Sequence, residues 1–238
     1  MILIHPPVAK PGEPPAGIAR IAGALNRQDV PCLILDANIE GLLYLMQQPV
    51  EASDTWSRRA IRHRSEHIAS LQDQKIYQSP ARYARAVRDV QRILAVSAGG
   101  SGARVGLADY QHGQLSPVRS ADLIQAAAHP QENPFYPFFQ KRLPSLLEQG
   151  ETGMVGISLN YLSQALCAFA LIGHIRTEYP DRKIVLGGGL VSSWLQRPGW
   201  KNPFGELVDH FVAGPGEQPL LKLLGGKPIA KGNSRPNY

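Results

Sequence analysis

Cysteine is nearly absent: Cys32 and Cys167 are the only two in 238 residues. Two thiols cannot supply a four-cysteine zinc site or the cysteine set of an iron–sulfur cluster. So few cysteines point to a reduced, cytoplasmic protein. A chain of this length buries enough core to need no disulfide or metal staple. Long apolar runs are missing as well. The longest, residues 162–175, is broken by Ser163, Gln164, Gly173 and His174. It falls short of the 18 or so apolar residues a membrane helix needs, so no membrane span is expected. The opening MILIHPPVAKPGEPP has no basic n-region and its apolar run stops at His5, so no signal peptide is expected. Charged residues are sparse at 18%, against 43% hydrophobic, which fits a folded domain and excludes a disordered chain. Several catalytic signatures are also missing. No GxGxxG dinucleotide loop, Walker A loop, HExxH pair or GxSxG elbow occurs.

Glycine and proline are plentiful, at 23 and 20, and net charge is +6. Between Glu51 and Ala95 there are nine Arg or Lys against five Asp or Glu. Within that stretch Tyr83, Val87, Val90 and Leu94 recur at helical spacing, with Arg82, Arg85, Arg88 and Arg92 alongside. That pattern describes the wet face of a helix. No zinc finger, helix-turn-helix or aromatic-rich strand accompanies it, so no nucleic-acid partner is expected.

The chain alternates short apolar runs with helical patterns. A strand at Ile2–Ile4 leads into a proline-rich loop and a helix starting near Pro15, with Ile18, Ile21, Ala22 and Leu25 on one face. A second strand, Cys32–Leu35, ends in Asp36-Ala37-Asn38. Residues 41–151 form a largely helical insertion. It holds two or three helices before Ala95, a break at Ser97–Gly102, an extended pair near Gln111–Gly113, a loop over His129–Phe139 and a helix at Leu143–Gln149. The pattern then resumes with a strand at Met154–Ser158 and a helix at Leu162–Glu178. A strand at Lys183–Leu186, another at His210–Ala213 and a helix at Pro219–Leu224 complete it. Residues 1–225 are expected to form one domain, and 226–238 a linker or tail. The strands do not alternate polar with apolar, which favours a parallel sheet buried on both faces. We therefore expect an α/β fold, flavodoxin-like or Rossmann-like, with five parallel strands flanked by helices.

In such a sheet the ligand crevice lies beyond the carboxyl ends of the strands. Five segments end there: His5 to Pro7, Asp36 to Asn38, Ser158 to Tyr161, Gly187 to Leu190, and Gly214 to Glu217. Each carries two readings. Gly187-Gly188-Gly189 lets a ligand approach the backbone, or makes a tight turn. Ser158 contacts a ligand, or caps the next helix. Glu217 faces a ligand, or answers the free N–H groups of a helix start. Asp36 accepts a hydroxyl, or starts a turn. His5 reaches a ligand or metal, or bonds backbone in a turn. His63 and His67 share a helix face but lack further metal ligands. Trp194 and Trp200, in SSWLQRPGWKNPFG, wall a ligand or dock a partner; Tyr44 and Trp56 read as core or interface aromatics.

Together these segments resemble the N-terminal cobalamin-binding domain of B12-dependent radical SAM proteins. The resemblance rests on ILIHPP, then Pro14-Pro15-Ala16-Gly17-Ile18, then Asp36 closing the second strand. Val155-Gly156-Ile157-Ser158, Gly187-Gly188-Gly189 and Gly214-Pro215-Gly216-Glu217 follow in order. It covers roughly residues 1–40 and 152–225. It implies that cobalamin sits with its corrin over the carboxyl edge of the sheet. Its nucleotide tail would run past Ser158, Leu159, Asn160 and Gly187 to Gly189, with Gly214, Gly216 and Glu217 as the neighbouring wall. His5, Pro6, Pro7 and Asp36 would complete the site. The methylcobalamin loop Asp-x-His-x-x-Gly is missing, and the resemblance does not license His5 as an axial ligand. The family's Cys-x-x-x-Cys-x-x-Cys motif is also missing. The 4Fe–4S cluster and S-adenosylmethionine would belong to a C-terminal radical SAM domain, in the same chain or a partner, expected to begin about where these residues stop. Three alternatives stay open. One is a flavodoxin-like domain for another cofactor or nucleotide. Another is an interaction module. The third is a divergent domain whose middle helices fill the pocket.

Overall fold

The computed structural model describes residues 1–150 and 153–225. The expected linker or tail, 226–238, lies outside the described residues. Five parallel strands form the sheet: β1 (Ile2–His5), β2 (Leu33–Asp36), β5 (Met154–Ser158), β6 (Lys183–Gly187) and β7 (His210–Val212). Their order is β2-β1-β5-β6-β7. Counting these five alone in chain order gives 2-1-3-4-5, the flavodoxin-like order of a doubly wound sheet. The register sets Leu3 beside Gly156 and Gly156 beside Val185, and two residues further Ser158 beside Gly187. Alternation along the strands then sorts the core. Ile2, Ile4, Val155, Ile157, Ile184 and Leu186 feed one apolar layer, and Met1, Leu3, Val185 and Val212 the other.

The smaller layer is covered by α1 (Ala16–Asn26) and α10 (Glu217–Leu223), which contribute Ile18, Ala22, Leu25, Leu220 and Leu221. The larger layer carries the rest. α2 (Ala37–Gln47) follows β2 directly, so Gly41, taken as the start of the insertion, lies inside an ordinary crossover helix. The inserted helices are α3 (Thr55–Arg62), α4 (Arg64–Gln72) and α5 (Pro80–Ser97). A hairpin of β3 (Ala103–Val105) and β4 (Tyr110–His112) follows, then α6 (Ser120–Ala128) and α7 (Tyr136–Gln149). The hairpin turns at 106–109, ahead of the predicted centre at Gln111–Gly113. α6 was not predicted, and α7 starts seven residues before the expected Leu143. Its first residues, Tyr-Pro-Phe-Phe, look like loop, yet proline in a first helical turn costs no hydrogen bond. α8 (Leu162–Glu178) runs through the middle of this layer and is buried almost all round. Gly173 lets α6 press against it: a Cβ there would sit 1.8 Å from the Ala127 carbonyl oxygen.

Two details correct the predicted packing. α5 buries Ala86, Val90, Ile93 and Leu94, whereas Tyr83 is 40% exposed, so the helix is rotated from the expected stripe. Trp194, on α9 (Gly189–Leu195), packs with Phe204 at 5.7 Å, and Trp200 with Phe211 at 5.6 Å. Phe204 in turn lies 4.6 Å from Phe169 of α8. These aromatics pack into the larger layer. No helix among the described residues is long and apolar enough to cross a membrane.

Candidate functional site

A cleft of about 340 Å³ opens between the sheet and the α1/α10 pair. Its lining is mainly apolar side chains from the smaller layer, such as Leu3, Ile18, Ile21, Val185 and Leu220. Two glycines line it. Gly156 stands mid-strand where a Cβ would sit 2.7 Å from the Met1 side chain and 2.9 Å from that of Leu3. Gly17, in the first turn of α1, faces open space: nothing lies within 4 Å of where its Cβ would be. The insertion packs wholly on the opposite face and does not fill this cleft.

The mouth is made by the loops after β5, β6 and β7. Two side chains tie these loops together. Asn160 donates from Nδ2 to Ser158 Oγ at 3.1 Å and accepts from the Gly189 N–H at 3.0 Å. Ser192 donates to the Gly188 carbonyl at 2.9 Å and accepts from the Gly214 N–H at 2.8 Å. Gly188 itself has φ +111°, and a Cβ there would lie 2.3 Å from the Leu159 carbonyl oxygen. Only glycine satisfies both conditions, because the left-handed region and the close approach each exclude a side chain. Across the mouth, Arg20 of α1 pairs with Glu217 of α10 at 2.8 Å. The Glu217 carboxylate is 16% exposed and the Arg20 side chain 72%.

Eight of the predicted residues line this one cleft: Ser158, Asn160, Gly187, Gly188, Gly189, Gly214, Gly216 and Glu217. Five do not. Leu159 is fully buried, its N–H donating to the Gly187 carbonyl and its own carbonyl accepting from Leu190. Asp36 caps α2, accepting from the Ile39 N–H at 3.0 Å. His5, Pro6 and Pro7 are buried beneath the start of α8. Gln164 of that helix donates to the Pro6 carbonyl at 2.7 Å and its Nε2 lies 3.4 Å from His5 Nδ1. The same amide accepts from the N–H groups of Asn160 and Tyr161. Ser163 and Asn38 pin the rest of the loop through Val8 and Ala9. Burial pushes the His5 pKa below its ordinary value, against the pull of the Asp36 carboxylate, which favours the neutral ring. Asp36 therefore caps a helix, His5 meets the Gln164 side chain and not backbone, and Ser158 bonds Asn160 and does not cap α8.

Sequence reasoning missed the other wall. Gly17, Arg20 and Ile21 of α1 and Ser192 of α9 belong to the site. Gly17 and Ile21 are one helical turn apart, a signal present in the sequence, where Ile21 reads as core and Gly17 only as part of the Pro-Pro-x-Gly motif. Among the described residues no three His, Cys, Asp or Glu side chains gather to hold a metal ion. Compared with known proteins, the chain matches no family model, no curated protein and no solved structure.

Proposed function

We propose that this chain is a corrinoid-holding domain, with the nucleotide tail of cobalamin in the cleft under α1 and α10. The observation that carries the reading is the shape of the cleft. It is mainly apolar, Gly17 faces it across open space and Gly156 lines its floor, and Ser158 and three successive glycines stand at its mouth. A flat base suits such a floor, because it buries two apolar faces and needs few polar partners. At the mouth, backbone stripped of side chains at Gly187 to Gly189 lets the sugar and phosphate of a tail pass close. Ser158 supplies a hydroxyl at the same level. The cobalt of a corrinoid is held by its own ring, so the domain need not contribute a metal cluster.

When bound, the corrinoid would supply a cobalt centre able to donate a methyl group. The chain's own residues would hold the tail, orient the ring against the sheet edge and exclude water from the cleft. His5 is committed to the packed first loop and takes no part as a ligand in this reading. Radical generation would fall to a partner domain carrying a 4Fe–4S cluster and S-adenosylmethionine, because two cysteines cannot hold such a cluster. In isolation the domain binds and does not turn over substrate.

The test is gel filtration of purified protein mixed with hydroxocobalamin, reading the corrin absorbance in the protein peak. Co-elution that is lost in Gly17→Trp supports the reading. No corrinoid binding at about 100 μM, which corresponds to roughly 5–6 kcal/mol of binding, overturns it. Tight binding of flavin mononucleotide or NAD in the same cleft, with none of cobalamin, would reassign the domain to nucleotides.

A further inference from the structure

On the opposite side of the sheet from the cleft, α3 and α5 present six arginines to solvent. Arg58, Arg59 and Arg62 of α3 and Arg82, Arg85 and Arg88 of α5 are all exposed. None of the six makes an ion pair among the described residues. Their neighbour Arg92 differs: it pairs with Asp54 at 2.8 Å and is partly covered. Between the helices lies a groove of about 570 Å³ lined by Arg59, Arg85, Arg88 and Trp56. Trp56 is 50% exposed, with one face under the Arg92 guanidinium at 5.2 Å.

Three of these charges, Arg59, Arg85 and Arg88, share one groove, where they repel one another and raise the energy of the free protein. An anionic partner relieves that repulsion. The charges are all arginine, whose planar fork matches a carboxylate with two parallel hydrogen bonds. Arginine and tryptophan are also the residue types that dominate the energetics of protein interfaces. Two carboxylates stand in the same groove, and both are already held. Asp89 accepts from Trp56 Nε1 at 2.8 Å and lies 3.6 Å from His67, and Glu66 lies 3.1 Å from His63 Nδ1. A nucleic acid, charged at every nucleotide, would have to run over these two carboxylates. A polypeptide spaces its charges and can seat an apolar side chain on Trp56 between them.

We propose that the α3/α5 face is a docking surface for a carboxylate-rich segment of a partner protein. This does not depend on what the cleft binds. The probe is a fluorescein-labelled peptide of repeated Glu-Glu-Leu-Ala units, titrated with the full chain at low salt and followed by anisotropy. Binding should weaken about tenfold or more in Arg59→Glu/Arg85→Glu/Arg88→Glu. The charge-matched control Arg27→Glu/Arg119→Glu/Arg197→Glu alters exposed arginines elsewhere and should stay within about twofold. Should the first variant fail to fold by circular dichroism, Arg59→Gln/Arg85→Gln/Arg88→Gln replaces it. Equal weakening in both variants means general charge attraction and overturns the proposal. So does the absence of peptide binding, or displacement of the peptide by a single-stranded oligouridine acting through the same three arginines.

Discussion

Replacing Gly17 with tryptophan separates the cleft from the fold that carries it. Gly17 sits in the first turn of α1, lines the cleft and has open space where a Cβ would go. Its backbone is not in the left-handed region, so a larger side chain is admitted without strain. Glycine is the poorest helix former after proline, so the exchange should stabilise the helix by up to about 0.5 kcal/mol. In a chain of this size that is a rise in Tm of about 1–2 °C. The indole then occupies the space that the proposed function gives to a flat ring. A ligand ring denied entry loses burial of about 150 Å², worth about 4 kcal/mol at 25 cal/mol per Å². Affinity for cobalamin should therefore fall by about three orders of magnitude while the melting curve holds or improves. Isothermal titration and differential scanning calorimetry on the same preparation read both quantities. Undiminished binding by a fully folded Gly17→Trp would refute the assignment of the tail to this cleft.

Three further outcomes follow from the same geometry. Gly188→Ala forces a Cβ to within 2.3 Å of the Leu159 carbonyl oxygen at φ +111°, and should cost about 2–4 kcal/mol in urea unfolding. Gln164→Ala strips partners from the N–H groups of Asn160 and Tyr161 and from the Pro6 carbonyl. It should destabilise by about 2–4 kcal/mol and speed hydrogen exchange at Asn160 and Tyr161. Burial of Asp209 pushes its pKa up, but hydrogen bonds from the Ile184 N–H, Arg176 and Lys183 outweigh this and hold it at about 2. The folded value is depressed, so its contribution of at most about 2 kcal/mol is complete above pH ~4 and is lost as pH falls through ~2. An Asp209→Asn variant should be less stable at pH 7 and show a flatter acid limb in pH-dependent melts.

The strands were legible for a physical reason. Ile2–His5, Met154–Ser158 and Lys183–Gly187 are short, wholly apolar in their centres and punctuated by Pro, Ser or Gly, as buried parallel strands must be. The loops after β5, β6 and β7 were legible because glycine, serine and asparagine there mark strand ends. The loop at His5-Pro6-Pro7 was placed correctly at a strand end but given the wrong exposure. What buries it is Gln164, a residue 159 positions from His5 that carries no local signal. The insertion was seen as helical, but α6 and the start of α7 were not: prolines and small residues weaken their local pattern, and packing against α8 settles them.

Composition and pattern alone therefore determined an α/β chain with five short apolar strands, too few cysteines for a cluster, and a set of glycine-rich strand ends. Local chemistry suffices for that, because backbone geometry and burial leave their marks within a few residues. Only the tertiary structure decided which of those ends share a cavity. The sheet order brings β5, β6 and β7 side by side, and the pleat sends Gly156 and Ser158 to the α1 face. The two cysteines end apart. Cys167 is buried in α8 with its thiol pushed up to about 12 by desolvation, and Cys32 lies just before β2. That separation of chemistry from cavity is a property of packing, which no short window of sequence contains.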